Sequence, residues 1–162
     1  QYVVEKIGLR CHEHEIFITV LQSATFELIS LWTVLRQHYD PKRYLDRLYE
    51  LLSQNGKLII AVHNHKSKDA EAYGSDWAAY DVPRHLWHFS PATMRKLVKK
   101  SGFRVVETQH MPLDPFYVSI MSEKYKSGGG LIAGGLEGLG SFISSTADAE
   151  RGSSVIYVIE KN

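Results

Sequence analysis

Residues 26–62 read FELISLWTVLRQHYDPKRYLDRLYELLSQNGKLIIAV, and the punctuation of that stretch decides the fold. Phe26, Leu28, Ile29, Leu31 and Trp32 make an apolar run interrupted only by Glu27 and Ser30. Such a short run, bounded by polar residues, reads as a buried strand. The chain then turns polar, and Asp40-Pro41 opens a helix, with Asp as N-cap and Pro at the first helical position. Tyr44, Leu45, Leu48, Leu51 and Leu52 recur at helical spacing and form its apolar face. Asn55-Gly56 predicts the helix end, because both residues accept a left-handed backbone. Residues 57–62, KLIIAV, form the next buried strand.

Strand, helix and strand with tight punctuation make a βαβ unit, and the right-handed crossover makes its strands parallel. Near-continuous apolar runs fit a sheet covered on both faces. Ligands of open α/β sheets sit outside the carboxyl ends of the strands. The Trp32-Thr33 corner is therefore expected to wall a small-molecule pocket. The competing reading is that Trp32 is core, since a buried Trp needs no function.

Outward from this unit, residues 63–90 lose all periodicity and are rich in aromatics and histidine. A loop of that length predicts a lid or substrate loop. Ser90-Pro91 starts a second helix with Met94, Leu97 and Val98 inward and Gly102 as its cap. Residues 103–108 (FRVVET) form a strand, residues 112–115 (PLDP) a turn, and residues 116–125 a helix with Phe116, Ile120 and Met121 inward. Residues 127–152 read as a Gly-rich insertion. A helix over residues 131–142 would be marginal alone, because Gly134, Gly135, Gly138 and Gly140 each cost ~1 kcal/mol relative to Ala. Residues 153–161 (SSVIYVIEK) form the last strand.

Upstream, Val3, Val4 and Ile7 share one helical face and Gly8 is a C-cap. The sequence thus opens with Gln1 on the end of a helix, which predicts a longer protein extending upstream. Residues 9–11 suggest a short strand. Residues 16–21 have strand propensity, with a helix or irregular crossing also open there.

The chain has 162 residues, 44% hydrophobic and 23% charged, with a net charge of +1. One globular α/β domain is expected. The charge balance gives no case for nucleic acid or an anionic membrane. Cys11 is the single cysteine, so no intramolecular disulfide forms; a reducing, cytoplasmic location is the simplest expectation. No apolar run approaches the ~18 residues of a spanning helix.

Residues 77–89, WAAYDVPRHLWHF, concentrate the chemistry. An imidazole titrates near ~6.5 and is a credible general base at neutral pH. His85 and His88, three apart, can face one pocket; the structural alternative is that they hydrogen-bond loop backbone. Cys11, His12, His14, His63 and His65 invite a zinc reading, but their spacings match no closed structural site, so no metal is expected. Gly128 to Gly140 follow no convincing strand, which argues against a phosphate cradle.

Residues 26–64 followed by SDWAAYDVPRHLWHFSPATMRKLVKKSGFRVVET resemble class I S-adenosylmethionine-dependent methyltransferases. The resemblance is greatest to a bacterial group with a W-x-x-Y-D-x-P-R-H-L-x-H-F-S-P block after the fifth strand. It implies a Rossmann-like, three-layer sheet of seven strands with the last antiparallel. It also implies that the first two strands and the Gly-rich cofactor loop lie upstream of Gln1. Members often read W-H-V-L-E-H after the fourth strand, where this sequence has Trp32-Thr33-Val34-Leu35-Arg36-Gln37. By position, the resemblance places Leu31, Trp32 and Thr33 at the cofactor. It sets Tyr80 and Arg84 over the substrate, with His85 or His88 as the catalytic base. The expected function is methyl transfer from S-adenosylmethionine to a small-molecule acceptor, with this chain inactive alone and a homo-oligomer open. The alternative is a non-catalytic binding module that keeps the sheet.

Overall fold

The computed structural model describes residues 23–127 and 131–162. The expectations for residues 1–8, 9–11 and 16–21 lie outside the described residues. The order of elements is β1 (Phe26–Trp32), α1 (Pro41–Leu51), β2 (Leu52–His63), α2 (Lys68–Tyr73) and α3 (Pro91–Lys100). It continues with β3 (Phe103–His110), α4 (Asp114–Ser127), α5 (Leu131–Ala147) and β4 (Ser154–Lys161). The strands lie side by side in the order β1-β2-β4-β3. β1 and β2 are parallel, as the crossover rule requires, and β4 inserts antiparallel to both β2 and β3.

Asp40 caps α1 by accepting the Arg43 N–H at 2.9 Å, with Pro41 in the first turn. Tyr44, Leu45, Leu48 and Leu51 are buried, as their spacing predicts. Tyr44, Leu45 and Leu48 meet Leu58, Ile60 and Val62 of β2, Met94 and Val98 of α3, and Val155, Tyr157 and Ile159 of β4 in one core. α3 carries the expected N-terminus: Ser90 Oγ accepts from Thr93 N, and Thr93 Oγ1 accepts from Ser90 N. Gly102 follows its C-cap at φ 80°.

Asn55-Gly56 does not end α1. The helix stops at Leu51 and the chain enters β2 at once. Phe26 pairs with Leu52 but Leu28 pairs with Lys57, so residues 53–56 bulge between the two ladder positions. A Cβ on Gly56 would lie 2.8 Å from Leu52 Cγ and 3.0 Å from the Phe26 carbonyl oxygen. The glycine serves close backbone approach at a bulge, not a left-handed cap. β1 is also less buried than an apolar run implies. It is the edge of the described sheet, and Leu28 is 59% exposed.

The Gly-rich region forms α5, a 17-residue helix laid against α4. Gly134 and Gly138 touch the α4 backbone: a Cβ on either would lie 2.8 Å from the Cα of Ile120 or of Phe116. Ser141 and Ser145 continue the same buried stripe. Close packing offsets the propensity cost that makes this helix weak alone. On α4 Pro115, Val118, Ser119 and Ser122 are buried, whereas Phe116, Ile120 and Met121 are half-buried. The glycines meet α4 at the backbone of Phe116 and Ile120, while Val118 packs with Trp77 and Ser122 Oγ accepts from the Ala78 N–H on its other side. No helix among the described residues is long and apolar enough to cross a membrane.

Candidate active site

The site is built where β1 and β2 end. Thr33 leaves β1 at φ 61°, a left-handed conformation rare for a β-branched residue, with its N–H held by the Ala61 carbonyl at 2.9 Å. The backbone turn directs the following 3-10 turn, Val34–Gln37, under the chain of residues 63–90. Trp32 is 51% exposed, so it lines the surface of the corner and does not belong to the core.

Arg36 ties the two sides together. Its carbonyl accepts the Leu86 and Trp87 N–H groups at 2.8 and 3.2 Å, and its Nη1 donates to the Ala79 carbonyl at 3.2 Å. The side chain is only 2% exposed, its Nε has no acceptor, and the ion pairs among the described residues do not include it. Burial lowers its pKa to about 10, opposed by the fields of Asp114 and Asp81.

Residues 63–90 are not featureless. They contain α2, two 3-10 turns and a cis Val82-Pro83 bond, and Asn64 bridges to Phe89. Asp69 anchors the segment from the interior. It accepts Trp77 Nε1 at 2.8 Å, Ser141 Oγ at 2.8 Å and Ser153 Oγ at 2.5 Å. Buried Trp77 then packs edge-on to Tyr80 at 5.1 Å, and Tyr80 edge-on to His88 at 5.0 Å.

His85 is 8% exposed, with Nδ1 3.3 Å from the Ala79 carbonyl and Nε2 3.6 Å from Asp81 Oδ2. The Ala79 contact is the loop-backbone alternative weighed for it in the sequence, and of the two histidines it is His88 that lines the groove beside the segment. Its pKa is lowered, first by burial and then by Arg36. His88 is exposed and also lowered, by partial burial, Arg36, His85 and His65. Arg84 points outward and pairs with Asp81 at 3.3 Å, while Tyr80 is half-buried. Trp87 donates to the His38 carbonyl at 2.8 Å, and with His88, Phe89, Tyr39, Thr93 and Leu97 it walls an open groove of about 540 Å³.

Sequence reasoning missed His63 as anything but a metal ligand. It ends β2, its ring lies 6.4 Å from that of His85 and 6.0 Å from Trp77, and its Nδ1 lies 2.9 Å from Ser154 Oγ. Asp114 and Ser154, far apart in sequence, gave no signal at all. Among the described residues no three His, Cys, Asp or Glu side chains gather as a metal site requires; Cys11, His12 and His14 lie outside them.

A family model for the methyltransferase domain matches residues 3–108. The chain belongs to the methyltransferase-domain family, the class I, S-adenosylmethionine-dependent type. No curated protein matches it. Among solved structures it is similar to a Thermotoga maritima S-adenosylmethionine-dependent methyltransferase described as a possible histamine N-methyltransferase. That pair has TM-score 0.61 and 19% identity, over 99% of this chain and 68% of the other. It is similar to the [4+2]-cyclase SpnF, with TM-score 0.58 and 14% identity, over 98% and 59%. A third is the Burkholderia thailandensis 1,6-didemethyltoxoflavin-N1-methyltransferase, solved with its substrate and S-adenosylhomocysteine. There the TM-score is 0.51 and the identity 15%, over 90% and 48%. The methyltransferase chain thus spans between about half and two thirds of these structures' lengths, and at these identities they attest the Rossmann-like fold alone.

Proposed function

We propose that this methyltransferase domain serves transfer of a methyl group from S-adenosylmethionine to a small-molecule acceptor. The observation that carries the reading is the joining of two walls by Arg36: the β1 corner on one side and the aromatic, histidine-rich segment on the other. Leu31, Trp32 and Thr33 form the cofactor wall. An exposed indole beside a left-handed backbone turn at a strand's carboxyl end fits a flat, partly apolar ligand. When bound, S-adenosylmethionine supplies an electrophilic methyl group on a sulfonium. This chain's residues then align the acceptor and handle its proton. Tyr80 and Arg84 orient the acceptor, and the proton is taken within the histidine cluster to which the segment contributes His85 and His88. The sequence has no Gly-rich loop between a strand and a helix before Phe26, so this chain by itself binds the cofactor weakly or not at all.

Calorimetric titration of S-adenosylmethionine into the full-length protein tests the reading. Binding to the full-length protein and weak or no binding to residues 1–162 is expected; no binding to the full-length protein refutes it. If His85→Ala and His88→Ala both leave transfer unchanged there, their part in proton handling is wrong. The Arg36-Gln37 departure from the family pattern supports a second reading, a non-catalytic module, which predicts cofactor binding without methyl transfer to any acceptor.

A further inference from the structure

We propose that His63 is the proton acceptor of the site, held in the Nδ1–H tautomer by a relay through Ser154 to Asp114. The proposal rests on the methyl-transfer reading above. Three elements build the relay. His63 is the last residue of β2, and the antiparallel register sets it opposite Ser154, the first residue of β4. The first turn of α4 supplies Asp114. Ser154 Oγ lies 2.9 Å from His63 Nδ1 and 2.5 Å from Asp114 Oδ2.

The tautomer follows from counting protons. An ionised carboxylate only accepts, and a serine hydroxyl has one proton to give. Ser154 gives that proton to Asp114, so its oxygen must accept from His63, and Nδ1 carries the hydrogen. Nε2 is then an unprotonated lone pair with no hydrogen-bond partner among the described residues. The half-buried ring lies 6.4 Å from that of His85 and 6.0 Å from that of Trp77, on the side of the aromatic segment. His85 by contrast has Nδ1 on a carbonyl and Nε2 toward the Asp81 carboxylate. An anion in front of its lone pair suits orientation better than proton removal.

The step balances. An electron pair on the acceptor heteroatom forms the new bond to the methyl carbon, and the sulfur–methyl bond breaks with its pair left on sulfur. The acceptor's proton passes to His63 Nε2. Nδ1 releases its proton to Ser154 Oγ, and the Ser154 proton passes to Asp114. The imidazole ends neutral in the other tautomer, and the carboxyl ends protonated. Burial supports this end state from both sides. It lowers His63 to about 3, aided by Arg36 and His85, and raises Asp114 above its ordinary value. The site therefore resists imidazolium and tolerates a carboxylic acid.

Two measurements on the full-length protein decide it. Nitrogen-labelled histidine spectra at neutral pH read the tautomer without any substrate. His63 is expected as Nδ1–H, with Ser154→Ala and Asp114→Asn each shifting it toward Nε2–H. An Nε2–H His63 in the parent, or no shift in either variant, overturns the relay. Transfer from methyl-labelled S-adenosylmethionine to a mixture of phenols and amines, acceptors that lose a proton on methylation, reads the role. His63→Gln is expected to lower the rate about 10²-fold or more. Full activity in His63→Gln overturns the proposal and leaves methyl transfer standing. A parent that binds the cofactor but transfers nothing overturns both.

Discussion

The contact between α4 and α5 makes a sharp prediction, because two glycines in one helix should respond to the same substitution with opposite signs. Gly135 has nothing within 4 Å of a built Cβ. Gly135→Ala therefore only removes backbone freedom from the unfolded chain and should stabilise by about 1 kcal/mol. Gly138 gains the same propensity, but its Cβ would lie 2.8 Å from Phe116 Cα and 3.1 Å from the Pro115 carbonyl oxygen. Both are backbone atoms and cannot rotate aside. Overpacking costs about 1–3 kcal/mol, and backbone obstruction places this site at the upper end. Gly138→Ala should therefore be net destabilising by about 2 kcal/mol, which separates the two variants by about 3 kcal/mol. In urea, where small proteins have slopes of ~1–3 kcal/mol/M, their midpoints should differ by about 1 M or more. If Gly138→Ala is as stable as Gly135→Ala, the helices do not approach this closely and the account of the Gly-rich region fails.

Two further outcomes follow from the site. His63 sits near pKa 3 folded against an ordinary 6.5, so below pH 6.5 the unfolded chain binds a proton that the folded one refuses. Stability should fall as pH drops from 6.5, by about 1.4 kcal/mol per pH unit for a fully shifted group. His65, His85 and His88 act in the same direction, while Asp114, raised, opposes them just above 3.8. Urea midpoints between pH 7 and 5 should decline less steeply in His63→Gln, and identical slopes would count against the assignment. Trp77→Phe loses the pyrrole half of the buried indole and with it one of three donors to fully buried Asp69, at a cost of about 1–3 kcal/mol for the donor alone and more for the cavity. Its thermal midpoint should drop by several degrees, and an unchanged midpoint would show that Asp69 does not need the indole.

The parts of this chain legible in its sequence are those governed by local physics. The α1 and α3 caps and their apolar faces are written in residues within one or two turns of each other. The parallel pairing of β1 with β2 follows from the helix between them. Asn55-Gly56 misled because the same dipeptide that ends a helix also permits a bulge, and only the carbonyl of Phe26 distinguishes the two. The Gly134–Gly138 stripe looked like weakness because its partner surface on α4 is absent from local pattern. The same limit hid the relay. His63, Asp114 and Ser154 come together through a sheet register and a helix start that no spacing in the sequence encodes. The aromatic block carried its own signal: Tyr80 packs on Trp77 and His88 on Tyr80, His85 lies beside His63, and Arg84 stays exposed.

Arg36 joins these threads. In the sequence it registered as a departure from the family's pattern that weakened the transfer of roles to its neighbourhood. In the structure it is the residue through which the corner after β1 holds the segment that faces it, by both main chain and side chain. Its charge has a second effect. Burial lowers His63, His85 and His88 first, and the nearby guanidinium adds to that lowering in all three. A histidine kept neutral is a base, whereas an imidazolium is not. One cation in the 3-10 turn thus fixes where the acceptor-side segment sits and holds its histidines in the neutral form. A neutral residue at position 36 that cannot donate to Ala79 should loosen the segment and let the pKa values of the three histidines rise, so geometry and protonation of the site should change together.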